Sequence, residues 1–342
     1  MEKRKRYIDI AKGIAMILVI MGHCKYVNQY LDIWIYSFHM PLFFILSGMT
    51  FSIKNKSNLK EFIKNKFFKL LIPYILLSIS LWLTTDFIKI IIKGFDWIYI
   101  KEFLGIFISN RSTPYYFTMW FVLVLFEAET IIYIVISYLQ KYSIKIRNIF
   151  FIVVFGIASL IGVVLSKNTT GFIFCLDLLP FGIAFVIFGY LIKENEEFFK
   201  NVFEKKYMII FFGIANLVFT YLNYRICGRT DLYECNTGNY LYCISHSIFG
   251  SLLVINICYV LGKCKKIEYI GKNSLVFYAF QNSLVIPNVT KIFERIFYKI
   301  KLIHKDFIIY ISVIIVSLLV LTIVNEIIRK YLPFLLGKRE KA

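Results

Sequence analysis

Tyr7-Ile8-Asp9-Ile10-Ala11-Lys12-Gly13-Ile14-Ala15-Met16-Ile17-Leu18-Val19-Ile20-Met21-Gly22-His23 is an apolar stretch that nevertheless carries Lys12 and His23. The two lie eleven positions apart, close to three helical turns, so on one helix they share a face about 16 Å from each other. Ionisable groups inside a spanning helix are costly, and they mark substrate or ion pathways. Asp9, three residues before Lys12, is near enough for the two charges to offset each other. Gly13 and Gly22 suit close approach of a neighbouring helix.

Outward from this helix the chain keeps the same character. Of its 342 residues 59% are hydrophobic, too many for a soluble domain of this length. The net charge of +19 does not point to nucleic acid, because the basic residues fall between apolar runs and no nucleic-acid motif is present. The stretch after Arg6 is too long for a cleavable signal and lacks a small-residue cleavage site, so it is expected to stay as the first span. The seven cysteines show no metal spacing; Cys227 and Cys235 flank a polar loop and either pair there or remain free thiols.

Windows of about 20 apolar residues fall at 8–27, 35–53, 70–88, 115–138, 148–166, 172–192, 207–225, 240–262, 271–287 and 307–328. The ninth is short and polar at its centre, and 97–108 is too short to cross. With the N-terminus inside, 26 Lys and Arg fall on the cytoplasmic side and 13 outside, with Lys12 within the first helix. The basic segment 291–305 departs from this pattern and is expected to lie amphipathically on the outer surface. The expected fold is all-α: a single polytopic transmembrane helical bundle over 1–342, with about ten spans and both termini cytoplasmic.

Four further segments carry candidate chemistry. In Phe38-His39-Met40-Pro41, Pro41 frees a backbone carbonyl within the membrane; His39 either faces a cavity or merely satisfies that break. In Lys66-Phe67-Phe68-Lys69 two lysines project from one face, and with Lys54, Lys56, Lys60 and Lys64 they meet a single acid, Glu61. They serve as a phosphate site or as a positive-inside anchor. In the segment Trp120 to Glu129, Glu127 shares Trp120's face and is the better partner for Lys12 or a histidine, whereas Glu129 points about 200° away, toward the cytoplasmic interface. Near Ser274, Gln281 and Asn282 add buried polar groups that serve chemistry or helix contact.

These segments, in this order, resemble the acyltransferase-3 family of integral-membrane acyltransferases, most closely its fucose 4-O-acetylase-like branch. The resemblance is carried by Tyr7-Ile8-Asp9 through Lys12-Gly13 to Gly22-His23 and by Met40-Pro41-Leu42-Phe43-Phe44 to Ser47-Gly48. It extends through Lys66 and Lys69, where many members carry paired arginines, Asp177 to Tyr190, and the loop Thr230 to Tyr240. Two features depart from the family: Gln281 stands where members commonly have a histidine, and lysine replaces arginine at 12, 66 and 69, exchanging bidentate clamping for point-charge attraction.

The resemblance implies transfer of an acetyl or other short acyl group from cytoplasmic acyl-CoA, with acetyl-CoA as donor substrate rather than a bound cofactor. The acceptor it implies is a sugar hydroxyl on a cell-surface polysaccharide, wall polymer or glycolipid. In that reading His23 is the general base, with Lys12, Asp9, Glu127 and His39 around it, and Lys66, Lys69 and Lys12 hold the donor. No serine or cysteine has an evident paired base, so direct transfer is expected. The competing reading is a transporter or flippase for a sugar or lipid-linked sugar, which predicts inverted repeats not visible in this chain. A membrane half serving amino-acid handling is a third, weakened by the lack of a soluble catalytic domain in the sequence.

Overall fold

The computed structural model describes residues 5–53, 58–110, 119–168, 171–298 and 305–337; Lys54 and Lys56 of the basic segment fall outside them. Among the described residues every regular element is helical, and the one extended pairing is an isolated bridge between Asp231 and Asn236.

The chain opens with α1 (Arg6–Gly22), α2 (Gln29–Tyr36) and α3 (His39–Met49). A 35-residue helix, α4 (Leu59–Lys93), follows, capped by the Asn58 side chain and passing through two π-helical turns. Next come α5 (Trp97–Ile108), α6 (Trp120–Leu139), α7 (Ile144–Asn168), α8 (Leu179–Glu194), α9 (Glu196–Phe203), α10 (Tyr207–Cys227) and α11 (Tyr240–Leu261). The chain closes with α12 (Lys265–Lys272), α13 (Ser274–Phe280), α14 (Ile286–Phe297) and α15 (Lys305–Tyr331).

Eight helical segments among the described residues are long and apolar enough to cross a membrane, rather than the ten windows of the sequence. The first window yields α1, only 17 residues long. The ninth is divided, because Asn273 interrupts the helix between α12 and α13 and a π-helical turn at Gln281–Val285 separates α13 from α14. The third extends well beyond 70–88, carrying its apolar helix straight through Lys66 and Lys69. The second is broken at Ser37–Phe38, so Pro41 falls in the first turn of α3, where its missing N–H removes no bond within that helix. Residues 97–108 form the short α5, tied to α4 by Trp82 Nε1 donating to the Tyr99 carbonyl at 3.0 Å.

Burial orders the bundle. The window over α2 and α3 is 78% buried by protein, whereas α7 and α15 are each 33% buried and show rows of exposed Ile, Val and Leu, as lipid-facing helices do. Small residues make the tightest central contacts. Gly48 of α3 and Gly189 of α8 sit against each other's backbones, Gly48 at Val186 and Tyr190 and Gly189 at Ile45. Gly13 meets the Ile267 carbonyl and Gly271 the Asp9 carbonyl where α1 crosses α12. On α14, from the segment expected at the outer surface, Glu294 accepts from Lys25 Nζ at 2.8 Å and Tyr26 Oη at 2.7 Å, just past the end of α1; residues 299–304 lie outside the described ones.

Candidate active site

His23 is the residue on which α1 ends, its backbone N–H still donating to Val19 at 3.1 Å. Gly22, one residue earlier, has no side chain to keep the Tyr36 ring from its backbone. Tyr36, at the end of α2, therefore packs beside it, edge-on to His23 at 6.3 Å between ring centroids and edge-on to His39 at 4.8 Å. The structure thus brings both predicted histidines to one aromatic ring. His39 is buried and His23 half-buried.

The histidines differ in their hydrogen bonds. His39 Nδ1 lies 2.9 Å from the Ile35 carbonyl oxygen, an acceptor only, so Nδ1 carries the proton and a neutral ring keeps its lone pair on Nε2. The carbonyl that Pro41 deprives of a helical donor is that of Ser37, and it is taken by His246 Nδ1 at 2.7 Å and Ser247 Oγ at 3.1 Å. His39 Nδ1 instead caps the Ile35 carbonyl in the last turn of α2, on the other side of the same break.

On the open face of Tyr36 lies Arg229, with Cζ 3.9 Å from the ring centroid. Its guanidinium is held by Asp231 at 2.9 Å and Asp32 at 3.4 Å, and Asp32 Oδ1 has no hydrogen-bond partner among the described residues. Burial pushes the Asp231 carboxyl up to about 6, against the pull of Arg229 and of the backbone N–H groups of Glu234 and Tyr233. A ring flanked by two imidazoles and a guanidinium, with carboxylate oxygens beside it, offers a proton acceptor, an apolar platform and hydrogen-bond partners for hydroxyls.

Lys12 is half-buried three turns back along α1. It lines a cavity of about 180 Å³ with Ser47 of α3, Leu70 of α4, Phe121 of α6 and Tyr278 of α13. Met40, the residue after His39, lines the same cavity, but neither His23 nor His39 does. Asp9 is buried with Lys272 Nζ 4.0 Å away, and that lysine also reaches Glu268 at 3.5 Å.

The acidic pair of α6 departs from expectation. Glu129 takes Lys66 at 2.5 Å, while Glu127 Oε2 is buried without a partner among the described residues, and Glu127 pairs with neither Lys12 nor a histidine. The reason is helix azimuth. Tyr133, one turn after Glu129, stacks on Phe62 at 4.1 Å, so the face of α6 turned to α4 is the Glu129 face, and Glu127 points away from it. Lys66 also lies over the Phe62 and Phe51 rings at 5.6 and 5.8 Å, whereas Lys69 is exposed with no ion-pair partner among the described residues. Gln281 is buried, and its Oε1 has no hydrogen-bond partner among the described residues. Cys227 is not in a disulfide, so the Cys227–Cys235 pairing is not formed.

Sequence reasoning did not single out Tyr36, Asp32, Arg229 or His246. Arg229 and Asp231 flank Thr230 in a segment already notable, but no spacing rule joins a loop at 229 to a ring at 36.

Comparison with known families adds one finding: the acyltransferase domain of the acyltransferase 3 family matches residues 5–326. No curated protein and no solved structure matches the chain. With a match over nearly its whole length, and eight apolar helical segments long enough to span among the described residues, the chain belongs to the acyltransferase 3 family of multi-pass membrane acyltransferases.

Proposed function

We propose that the protein transfers a short acyl group, acetyl first among them, from acyl-CoA to a saccharide hydroxyl, with His23 as general base. The observation that carries this reading is the pairing of His23 and His39 across Tyr36 beside Arg229. In the reaction, the acceptor oxygen attacks the thioester carbonyl while its proton passes to an imidazole. The tetrahedral intermediate then collapses by breaking the C–S bond, and the imidazolium returns the proton to the departing thiolate. Acyl ester and free CoA thiol are the products, and no covalent enzyme intermediate is required.

The lysine-rich end of α4, taken as cytoplasmic from the charge bias, is where the donor's phosphates would meet Lys69, and Lys66 if it leaves Glu129. The cavity at Lys12 suits the narrow pantetheine arm on its way toward α3. The acceptor, a polysaccharide, wall-polymer or glycolipid sugar, would approach Tyr36 from the Arg229 loop. His39 supports this reading as the second imidazole, since its fixed Nδ1–H leaves Nε2 to take a proton.

The test is release of CoA thiol from acetyl-CoA by the purified protein, with and without a glycoside acceptor. Loss of a general base costs on the order of 10²–10⁴ in rate, so His23→Ala is expected to fall to near background while the protein still inserts. Undiminished acceptor-dependent thiol release in that variant would remove His23 from the mechanism. A transporter would move a sugar without consuming acetyl-CoA at all.

A further inference from the structure

We propose that His246 is a positioning residue, a buried strut that sets the loop bearing Arg229 against the helix start bearing His39. The assignment rests on the acyl-transfer reading for its kinetic consequence, and on geometry for its existence. Pro41 leaves the Ser37 carbonyl without its helical donor, and an unpaired carbonyl in an apolar interior costs free energy. His246 Nδ1 at 2.7 Å and Ser247 Oγ at 3.1 Å, neighbours on α11, both occupy that carbonyl, two residues before His39. Asn216 of α10 braces the same point, with Nδ2 2.9 Å from the His246 carbonyl oxygen and 3.4 Å from Ser37 Oγ.

Because a carbonyl only accepts, Nδ1 of His246 holds the proton and Nε2 is left as an acceptor. Nε2 accepts from the Thr230 hydroxyl at 3.4 Å, and Asn223 Nδ2, whose two hydrogens go to the same loop, lies beside it at 3.3 Å. Thr230 sits between Arg229 and Asp231, the pair that covers Tyr36. Asn223 fixes the same loop at three points: Nδ2 to Thr230 Oγ1 at 2.9 Å and to the Thr237 carbonyl at 3.0 Å, and Oδ1 to the Asn239 N–H at 2.9 Å. One ring, fully buried, therefore spends each nitrogen on a different half of the site. A histidine needed only to fill space would not require both.

Two substitutions separate the two nitrogens. His246→Asn retains an amide N–H where Nδ1 stands and drops the link to the loop. His246→Gln retains an acceptor near Nε2 and drops the hold on Ser37. With acetyl-CoA and methyl α-L-fucoside as probes, His246→Asn is expected to raise the glycoside KM roughly five- to tenfold, the size of one neutral hydrogen bond, with kcat nearly unchanged. His246→Gln is expected to lower kcat by a similar factor with the glycoside KM nearly unchanged. The acetyl-CoA KM moves in neither.

Equal losses of kcat in both variants, tracking the amount of folded protein with both KM values unmoved, would overturn the assignment, as would wild-type kinetics in both. Should the wild-type protein release no thiol with any acceptor, it is the acyl-transfer reading that fails. The strut is then read from maleimide labelling of Cys227, at the base of the loop, mapped by mass spectrometry. His246→Asn is expected to label several-fold faster than wild type and His246→Gln at the wild-type rate; unchanged labelling in His246→Asn would overturn it.

Discussion

Lys66 Nζ lies 2.5 Å from Glu129 Oε2, and the two side chains are unequally covered, at 25% and 5% exposure. The pair joins α4 to α6 next to the Phe62–Tyr133 stack. Removing the lysine strands a carboxylate inside the protein, and breaking such a buried pair costs on the order of 3 kcal/mol.

Lys66→Ala is thus expected to lower thermal stability, and Glu129→Gln placed on top of it to restore much of the loss. Melting of the two single variants and the double variant in detergent measures the coupling. Independent, additive effects would show that the pair carries no stability.

Lys69, exposed and without an ion-pair partner among the described residues, gives the cleaner donor experiment. Lys69→Ala is expected to raise the acetyl-CoA KM several-fold, the scale of one point charge on a phosphate, without a change in melting temperature. A KM shift for the glycoside instead would place Lys69 outside donor binding.

Arg229 is planar, stacked on Tyr36 at 3.9 Å and shared between Asp231 and Asp32. A lysine keeps the charge but neither stacks nor forks. Arg229→Lys is expected to lose about tenfold or more in kcat/KM for the glycoside while donor KM stays in place, read from initial rates with each substrate varied in turn. Wild-type kcat/KM in that variant would mean that the geometry of the guanidinium is irrelevant.

Asp231 supplies a pH dependence whose sign can be worked out. Burial raises its carboxyl from 3.8 to about 6, with Arg229 opposing and Glu234 adding to the rise; Asp32 and Tyr36 also face this cluster. A raised carboxyl binds its proton more tightly in the folded state, so its stabilising contribution is full below the unfolded value and lost as pH rises through about 6. Acidification through 6 should therefore weaken the hold on Arg229 and lower activity without unfolding the protein. Wild-type melting temperature, relative to Asp231→Asn, is expected to rise between pH 7.5 and 5 (the approximate range around this carboxyl). A relative fall over that range contradicts the assignment.

Gly189 meets the Ile45 carbonyl at the crossing of α3 and α8, where a methyl group has no room. Gly189→Ala is expected to cost about 1–3 kcal/mol or more through overpacking, seen as reduced melting temperature. Gly156, with open space around its Cβ position, is the control, and Gly156→Ala is expected to be near neutral.

Much of this protein follows from order along the chain alone. Apolar runs of spanning length, the charge bias between them and the charges set inside the first run impose a helical membrane bundle, because lipid leaves the backbone no other partner. The His23 signal is of the same kind, a costly group kept in an apolar helix. Contacts between helices were decided by tertiary structure. Glu129 rather than Glu127 meets Lys66 because the azimuth of α6 is fixed by what stacks on Phe62. His39 and His23 meet at Tyr36 because the chain breaks at Ser37 and Gly22 admits the ring. Arg229 joins them from 190 or more positions away, brought there by a loop whose path is set by Asn223 and His246. Periodicity specifies which residues share a face of one helix; which face another helix or loop will cover depends on packing against partners distant in sequence, and that information exists only in the folded chain.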